Sequence, residues 1–236
     1  MSDLTITSIA DAISTLPAPY PPVSLIKYHK GTTIKQQGNI VAIDPISATI
    51  QATQRQTFYI LSGKIHIRSK TFPGAISATI HPIDYSHGTF HLSDLSYGGW
   101  QDRRSERVQP KYPTYIKMYY YRKTYHSLLQ DISNEGMGIL VSDLIHPDCK
   151  LHLGNIPRLE FQLTPEHAFV GLKGTIVYRV NVGPPLIKYG LQLLPNPIQT
   201  KLLQTYITQR YDEILYEREQ EYIRMRDPFR VEYQCF

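Results

Sequence analysis

Asp131-Ile132-Ser133-Asn134-Glu135-Gly136-Met137-Gly138-Ile139-Leu140-Val141 decides how the second half of this chain reads. Residues 124–132 before it and 136–141 within it are rich in β-branched, aromatic and aliphatic side chains, the composition of a pleated, half-buried surface. Between them, Ser133-Asn134-Glu135 is a polar interval bounded by Asp131 and Gly136, residue types that fold the backbone back on itself. The stretch therefore predicts two antiparallel strands joined by a tight turn.

The same texture extends in both directions. Strands are expected over 114–121, 158–163, 169–180 and 187–194, and residues 198–226 carry Ile198, Leu202, Leu203, Tyr206, Ile207, Ile214 and Leu215 at helical period. About six strands followed by a long helix suggest a closed barrel with a helical lid. Beyond Leu215 the helix is mostly charged, with Glu213 to Glu221 interleaved with arginines, so that end is expected to face solvent or another subunit.

Toward the N-terminus, residues 23–28, 40–43, 48–52, 57–61, 64–68 and 75–80 read as short strands. Lys64-Ile65-His66-Ile67-Arg68 alternates strictly, as a strand with one buried face must. Ser62-Gly63 fits a two-residue hairpin turn. Residues 4–16 suggest a short amphipathic helix that Pro17, Pro19, Pro21 and Pro22 end. Gly98-Gly99 interrupts the β texture and marks a junction. The expected layout is a helix and Pro-rich linker over 1–22, a first barrel over 23–95, a linker over 96–107, a second barrel over 108–197, and a helix with tail over 198–236. The fold class is mainly β, two small barrels with a long C-terminal helix.

The junction ends in Arg103-Arg104-Ser105-Glu106-Arg107. A guanidinium is a planar fork that matches the O6/N7 edge of guanine, pairs with phosphate and stacks on a purine. Arg103 and Arg107 stand four residues apart, and Arg104 adds a third fork. Asp131 answers a demand that arginine cannot meet, because an ionised carboxylate accepts from the N1–H and exocyclic amine of guanine. Ser133 shares its strand face and offers a hydroxyl. Gly136, with Gly138 one pleat on, is expected to admit positive φ and a close approach of a base to the backbone. The plain alternative is a hairpin turn preceded by solvated arginines.

In this order and spacing, Arg-x-x-x-Arg before a first barrel strand and Asp-x-Ser-x-x-Gly some two dozen residues later, the second half resembles the PilZ domain, a bacterial receptor module for cyclic di-GMP. Val108, Ile139 to Val141 and Tyr189-Gly190-Leu191-Gln192-Leu193 also fit, which brings Gly190 near the site. Residues 20–95 resemble more faintly the N-terminal split barrel of YcgR-type flagellar brake proteins. The resemblance implies a cyclic di-GMP site built from Arg103, Arg104, Arg107, Asp131, Ser133, Gly136, Gly138 and Gly190. It also implies a non-catalytic effector whose ligand reorients two domains toward a protein partner, with the flagellar motor or exopolysaccharide machinery as candidates in motility or biofilm control. Asp102 stands where some relatives carry a further arginine, which leaves one or two ligand molecules per site open.

Composition agrees with a binding protein of ordinary solubility. The 236 residues are 42% hydrophobic and 19% charged, and the net charge of +5 favours an anionic partner only weakly. No long Lys/Arg run points to polymeric nucleic acid. Cys149 and Cys235 form no disulfide framework, and no apolar stretch reaches the roughly 18 residues of a membrane span. A cytoplasmic protein is therefore expected, with a homodimer allowed. No nucleophile elbow, phosphate loop or paired-carboxylate motif points to catalysis, and neither a cofactor nor a metal is expected. His146, Asp148, Cys149 and His152 have zinc-ligand chemistry without a structural-site spacing, and read as a polar loop. Tyr119-Tyr120-Tyr121-Arg122-Lys123 reads as core packing and a hairpin corner, with an aromatic and basic platform for nucleic acid as the other reading. Three further classes stay open: a PilZ-like adaptor that binds no nucleotide, a single-stranded nucleic-acid-binding protein, and more remotely a flavin reductase.

Overall fold

Alternation of apolar and polar residues dictates most of the strands. The computed structural model describes residues 20, 22–44, 46–52, 63–70, 72, 74–84, 87–98, 105–146 and 151–226. The expected helix over 4–16, the strand over 57–61 and the residues Arg103 and Arg104 lie outside the described residues. The chain divides into two compact units, one of Met1–His29, Thr33–Asp102 and Leu215–Phe236, the other of Lys30–Thr32 and Arg103–Ile214.

The first unit holds β1 (Pro22–His29), β2 (Thr32–Ile43), β3 (Ser47–Gln51), β4 (Gly63–Arg68), β5 (Ile76–Asp84) and β6 (Thr89–Tyr97). They close into an antiparallel barrel in the order β1-β2-β3-β6-β5-β4. In β4 the alternation holds, with Ile65 and Ile67 buried and Lys64 and Arg68 exposed. Val23, Leu25, Ile50, Ile76, Phe90 and Leu92 complete the core. Each such side chain contributes about 1.5–3 kcal/mol on burial. One element runs longer than the sequence suggests. β2 begins at Thr32 rather than residue 40, because the polar Lys35-Gln36-Gln37 segment lies in a paired strand despite its low β propensity.

The second unit holds β7 (Tyr115–Tyr120), β8 (Lys123–Ile132), β9 (Gly136–Ser142), β10 (Arg158–Thr164), β11 (His167–Gly183) and β12 (Leu186–Leu194). These again close as an antiparallel barrel, in the order β7-β8-β9-β12-β11-β10. Ile116, Met118, Ile139, Val141, Leu159, Phe169 and Tyr189 fill it.

A helix, α1 (Pro197–Arg226), follows. Asn196 caps it: its Oδ1 accepts the Gln199 N–H at 2.9 Å, and Gln199 Oε1 accepts the Asn196 N–H at 3.1 Å. Pro197 occupies the first helical position, where a missing N–H costs nothing. Leu203, Tyr206, Ile207 and Ile214 are buried as their spacing requires, whereas Ile198 is 73% exposed. The first turn of the helix presents Ile198 outward, because the stripe is centred on Leu203 and Tyr206. The charged end also departs from expectation. Arg218 and Tyr222 are buried, extending the stripe at 210, 214, 218 and 222, so one face of this end is packed and does not project into solvent. Long arginine stems cover apolar surface while their heads find partners, here Arg210 with Glu213 and Arg218 with Glu221 at i,i+3. In the first unit Lys27 on β1 is buried, and its pKa falls to about 8. Desolvation is the main cause, the neighbouring Arg218 charge adds to it, and Glu221 opposes it.

Candidate functional site

The second barrel brings its sequence motif together through one short pairing outside the named strands. Val108 is fully buried and exchanges both backbone hydrogen bonds with Ile132, at 2.9 and 3.0 Å. That bridge anchors the segment leading into the barrel beside the end of β8. Arg107, one residue earlier, then reaches Asp131: its Nη1 donates to Oδ1 at 2.8 Å. Arg210, buried on α1, supports the segment from behind by donating from Nε to the Gln109 carbonyl at 3.1 Å.

The turn after Asp131 is closed by its serine. The Ser133 N–H donates to the Gly136 carbonyl at 2.7 Å, the Gly136 N–H donates to Ser133 Oγ at 3.1 Å, and Oγ in turn reaches the Gly136 carbonyl. Ser133 is buried, so its hydroxyl shapes the turn. Like Gly138, Gly136 is not among the residues with positive φ, contrary to the expectation for both. Its missing Cβ is needed for space: a Cβ there would lie 2.9 Å from the Leu191 carbonyl oxygen and 3.7 Å from Arg107 Nη2.

Strand register explains the other two glycines. Asp131 on β8 is opposite Gly138 on β9, Gly138 is opposite Gly190 on β12, and Gly190 is opposite Tyr178 on β11. Residues directly opposite one another in antiparallel strands share a face. Four strands thus carry one outward row, Asp131-Gly138-Gly190-Tyr178, with side chains only at its ends. The Asp131 carboxylate folds over Gly138, whose Cβ would come within 3.1 Å of it. The Tyr178 ring lies over Gly190, where a Cβ would stand 2.0 Å from the ring. Gly190 therefore serves as the floor for an aromatic ring.

Beside this row is a cleft of about 330 Å³ lined by Ser105, Arg107, Ser133, Glu135, Gly136, Val177, Leu191 and Gln192. Lys188 Nζ stands 4.0 Å from Asp131 Oδ2, adding a second cation. The site thus combines a guanidinium, an ammonium, two carboxylates, an amide and a glycine-flattened sheet surface, a set able to hold a planar, anionic ligand. Sequence reading missed Lys188, Tyr178, Val177 and Gln192. The alternation of β12 does put Lys188, Gly190 and Gln192 on one face, a signal that becomes specific only once Gly138 is known to be opposite Gly190.

The zinc-like cluster is not assembled among the described residues. No group of three or more His, Cys, Asp or Glu there could hold a metal ion. Asp148 and Cys149 lie outside the described residues. His146 instead uses its Nε2 lone pair to accept the His126 backbone N–H at 2.7 Å, and desolvation, followed by the nearby His126, lowers its pKa. No helix among the described residues is long and apolar enough to cross a membrane.

The fold and this constellation define a small closed antiparallel barrel with a basic segment bridged to its β8–β9 turn. Residues 101–209 match the PilZ domain family, and this part of the chain is a PilZ domain. Among solved structures, the chain is similar to the MrkH–c-di-GMP complex from K. pneumonia, at 16% identity and a TM-score of 0.45, covering 84% of this chain and 89% of that one. It is similar to YcgR in complex with c-di-GMP from Escherichia coli, at 17% identity and a TM-score of 0.45, covering 84% and 87%. It is also similar to the Bacillus subtilis inhibitor of motility MotI/DgrA, at 14% identity and a TM-score of 0.43, covering 81% and 96%. No curated protein matches the sequence.

Proposed function

We propose that the protein is a cyclic di-GMP effector that acts by binding and not by catalysis. The observation that carries this reading is the Arg107–Asp131 pair laid across Gly138 at the mouth of the cleft. A guanidinium fork and a carboxylate side by side offer donors to phosphate and the Hoogsteen edge of guanine and acceptors to its Watson–Crick edge. The PilZ resemblance supplies the identity of the ligand. Arg103 and Arg104 join Arg107 in gathering it, Asp131 holds a guanine, Ser133 and Gly136 shape the turn beside it, and Gly138 and Gly190 leave room for the Asp131 carboxylate and the Tyr178 ring that flank it.

Because the arginines precede the first strand of the barrel, ligand would draw residues 96–107 onto it and reorient the two units, changing the surface offered to a protein partner. Motility or exopolysaccharide control is the setting that the resemblance implies, in the cytoplasm, where the messenger is made.

Calorimetric titration with cyclic di-GMP tests the binding. Arg107→Ala and Asp131→Ala should each weaken it tenfold to a hundredfold, roughly 1.5–3 kcal/mol. Absence of binding heat, or indifference to both substitutions, would sink the reading. Small-angle scattering with and without ligand tests the reorientation separately, since an unchanged profile removes the switch and leaves the binding. The adaptor reading draws on the self-pairing of Arg107 with Asp131 and the engagement of Ser133 in its own turn. It predicts no titration at all.

A further inference from the structure

At the other end of the second barrel, the β7–β8 hairpin turns through two residues only, Tyr121 and Arg122, between the paired Tyr120 and Lys123. Their φ values are 45° and 62°. This is the left-handed region that two-residue hairpins assign to Asn and Gly, because a Cβ is crowded there. Tyr121 nevertheless occupies it, 84% exposed, with its ring 4.5 Å from that of Tyr120 in an edge-on arrangement. Neither the hydrophobic core nor turn chemistry accounts for a tyrosine at this position. Strained residues of this kind concentrate at functional sites.

The turn borders a cleft of about 340 Å³ lined by Tyr120, Tyr121, Lys123, Tyr125, His152 and Asn155. That volume is near the lower end of small-molecule sites, roughly 300–1,000 Å³. Its far wall is fixed by reciprocal bonds: the His152 N–H donates to Asn155 Oδ1 at 2.8 Å and the Asn155 N–H to the His152 carbonyl at 3.2 Å. Among the described residues, no aliphatic side chain and no carboxylate lines it. Tyr120, Tyr121 and His152 offer ring surface above the buried Tyr125, and Lys123, with Arg122 beside it, offers exposed positive charge. Ring faces suit a planar base, and the cations suit a phosphate. β8 runs ten residues from this turn to the Asp131 turn, about 30 Å at a strand's rise, so the two clefts are separate.

We propose that the Tyr121 turn is a second ligand site, which takes one nucleotide unit with its base against the tyrosines and its phosphate on Lys123 and Arg122. The unit is either a free mononucleotide or one residue of a single strand. The site does not depend on the cyclic di-GMP reading of the first cleft.

The test is fluorescence anisotropy of the full chain with a labelled twelve-residue oligothymidylate at low salt, with thymidine and guanosine monophosphates as competitors. Binding is expected to weaken at least tenfold in Tyr121→Asn and several-fold in Lys123→Ala. Asn is at ease at this φ, so Tyr121→Asn should unfold at a higher temperature than the parent while binding less, which a purely structural tyrosine would not do. Competition by the mononucleotides identifies a free nucleotide as the source, and its absence identifies a strand. Failure of every probe to bind, or binding that survives both Tyr121→Asn and Lys123→Ala, overturns the proposal. Loss of binding in Arg107→Ala, with Tyr121→Asn unaffected, assigns the probe to the first cleft and overturns it equally.

Discussion

The two barrels share one strand order and differ in what their matching strands carry. In each, the third strand pairs with the sixth: β3 with β6 in the first, β9 with β12 in the second. On the outer face of β3–β6, Thr49 is opposite His91, and their side chains are hydrogen-bonded at 2.9 Å. On the outer face of β9–β12, Gly138 is opposite Gly190. The row in the first sheet carries side chains, while the row in the second is bare backbone at its centre, over which Asp131 and Tyr178 lie from either side. The candidate site thus arises chiefly where side chains are absent from a barrel of shared strand order, with the charges added at the margin.

The strongest way to break this comparison is to put the first barrel's residue into the second. Gly138→Thr places a branched side chain where a Cβ alone would already meet the Asp131 carboxylate at 3.1 Å. The carboxylate must leave Arg107, and cyclic di-GMP affinity should fall about a hundredfold, roughly 2.7 kcal/mol by calorimetry, with the barrel still folded by circular dichroism.

A second experiment concerns the buried lysine of the first unit, Lys27. Lys27 has its pKa lowered from 10.5 to about 8, so between those values the unfolded chain holds a proton that the folded chain has released. Stability should therefore rise with pH across that window, by an amount on the order of 1–2 kcal/mol after screening. Lys27→Met should flatten the difference in denaturant titrations at pH 7.5 and 10. A parallel slope in both proteins would show that Lys27 is not the group responsible.

The smallest effect comes from the converse exchange. Thr49→Gly with His91→Gly strips the first barrel's outer pair, at a stability cost of about 1 kcal/mol, and should create no cyclic di-GMP site, since no Arg–Asp pair stands beside it. Gain of binding in an Arg107→Ala background would show that bare backbone suffices.

Legibility followed the range of the interactions. Ile65 and Ile67, or Ile116 and Met118, announce their strands because one buried face imposes a period of two, and the hexapeptide from Asp131 to Gly136 announces its turn. Arg107 was found with Asp131 because both lie in one ordered motif. Arg218 falls in a stretch, Glu213 to Glu221, that reads as a solvated face, since a sequence does not reveal that a guanidinium stem completes a buried stripe. Gly136 reads as a turn glycine of positive φ, yet it answers to the Leu191 carbonyl instead.

Two β-rich halves, the long helix and the arginine and aspartate motifs are legible in the chain alone, because periodicity and turn chemistry act over a few residues. Only the tertiary structure decided that Gly138 and Gly190 share a row with Asp131 and Tyr178, that Lys188 stands near Asp131, and that Tyr121 turns outward at a strained corner. Those facts follow from strand register, and closure of the barrel sets which residues of distant strands become neighbours.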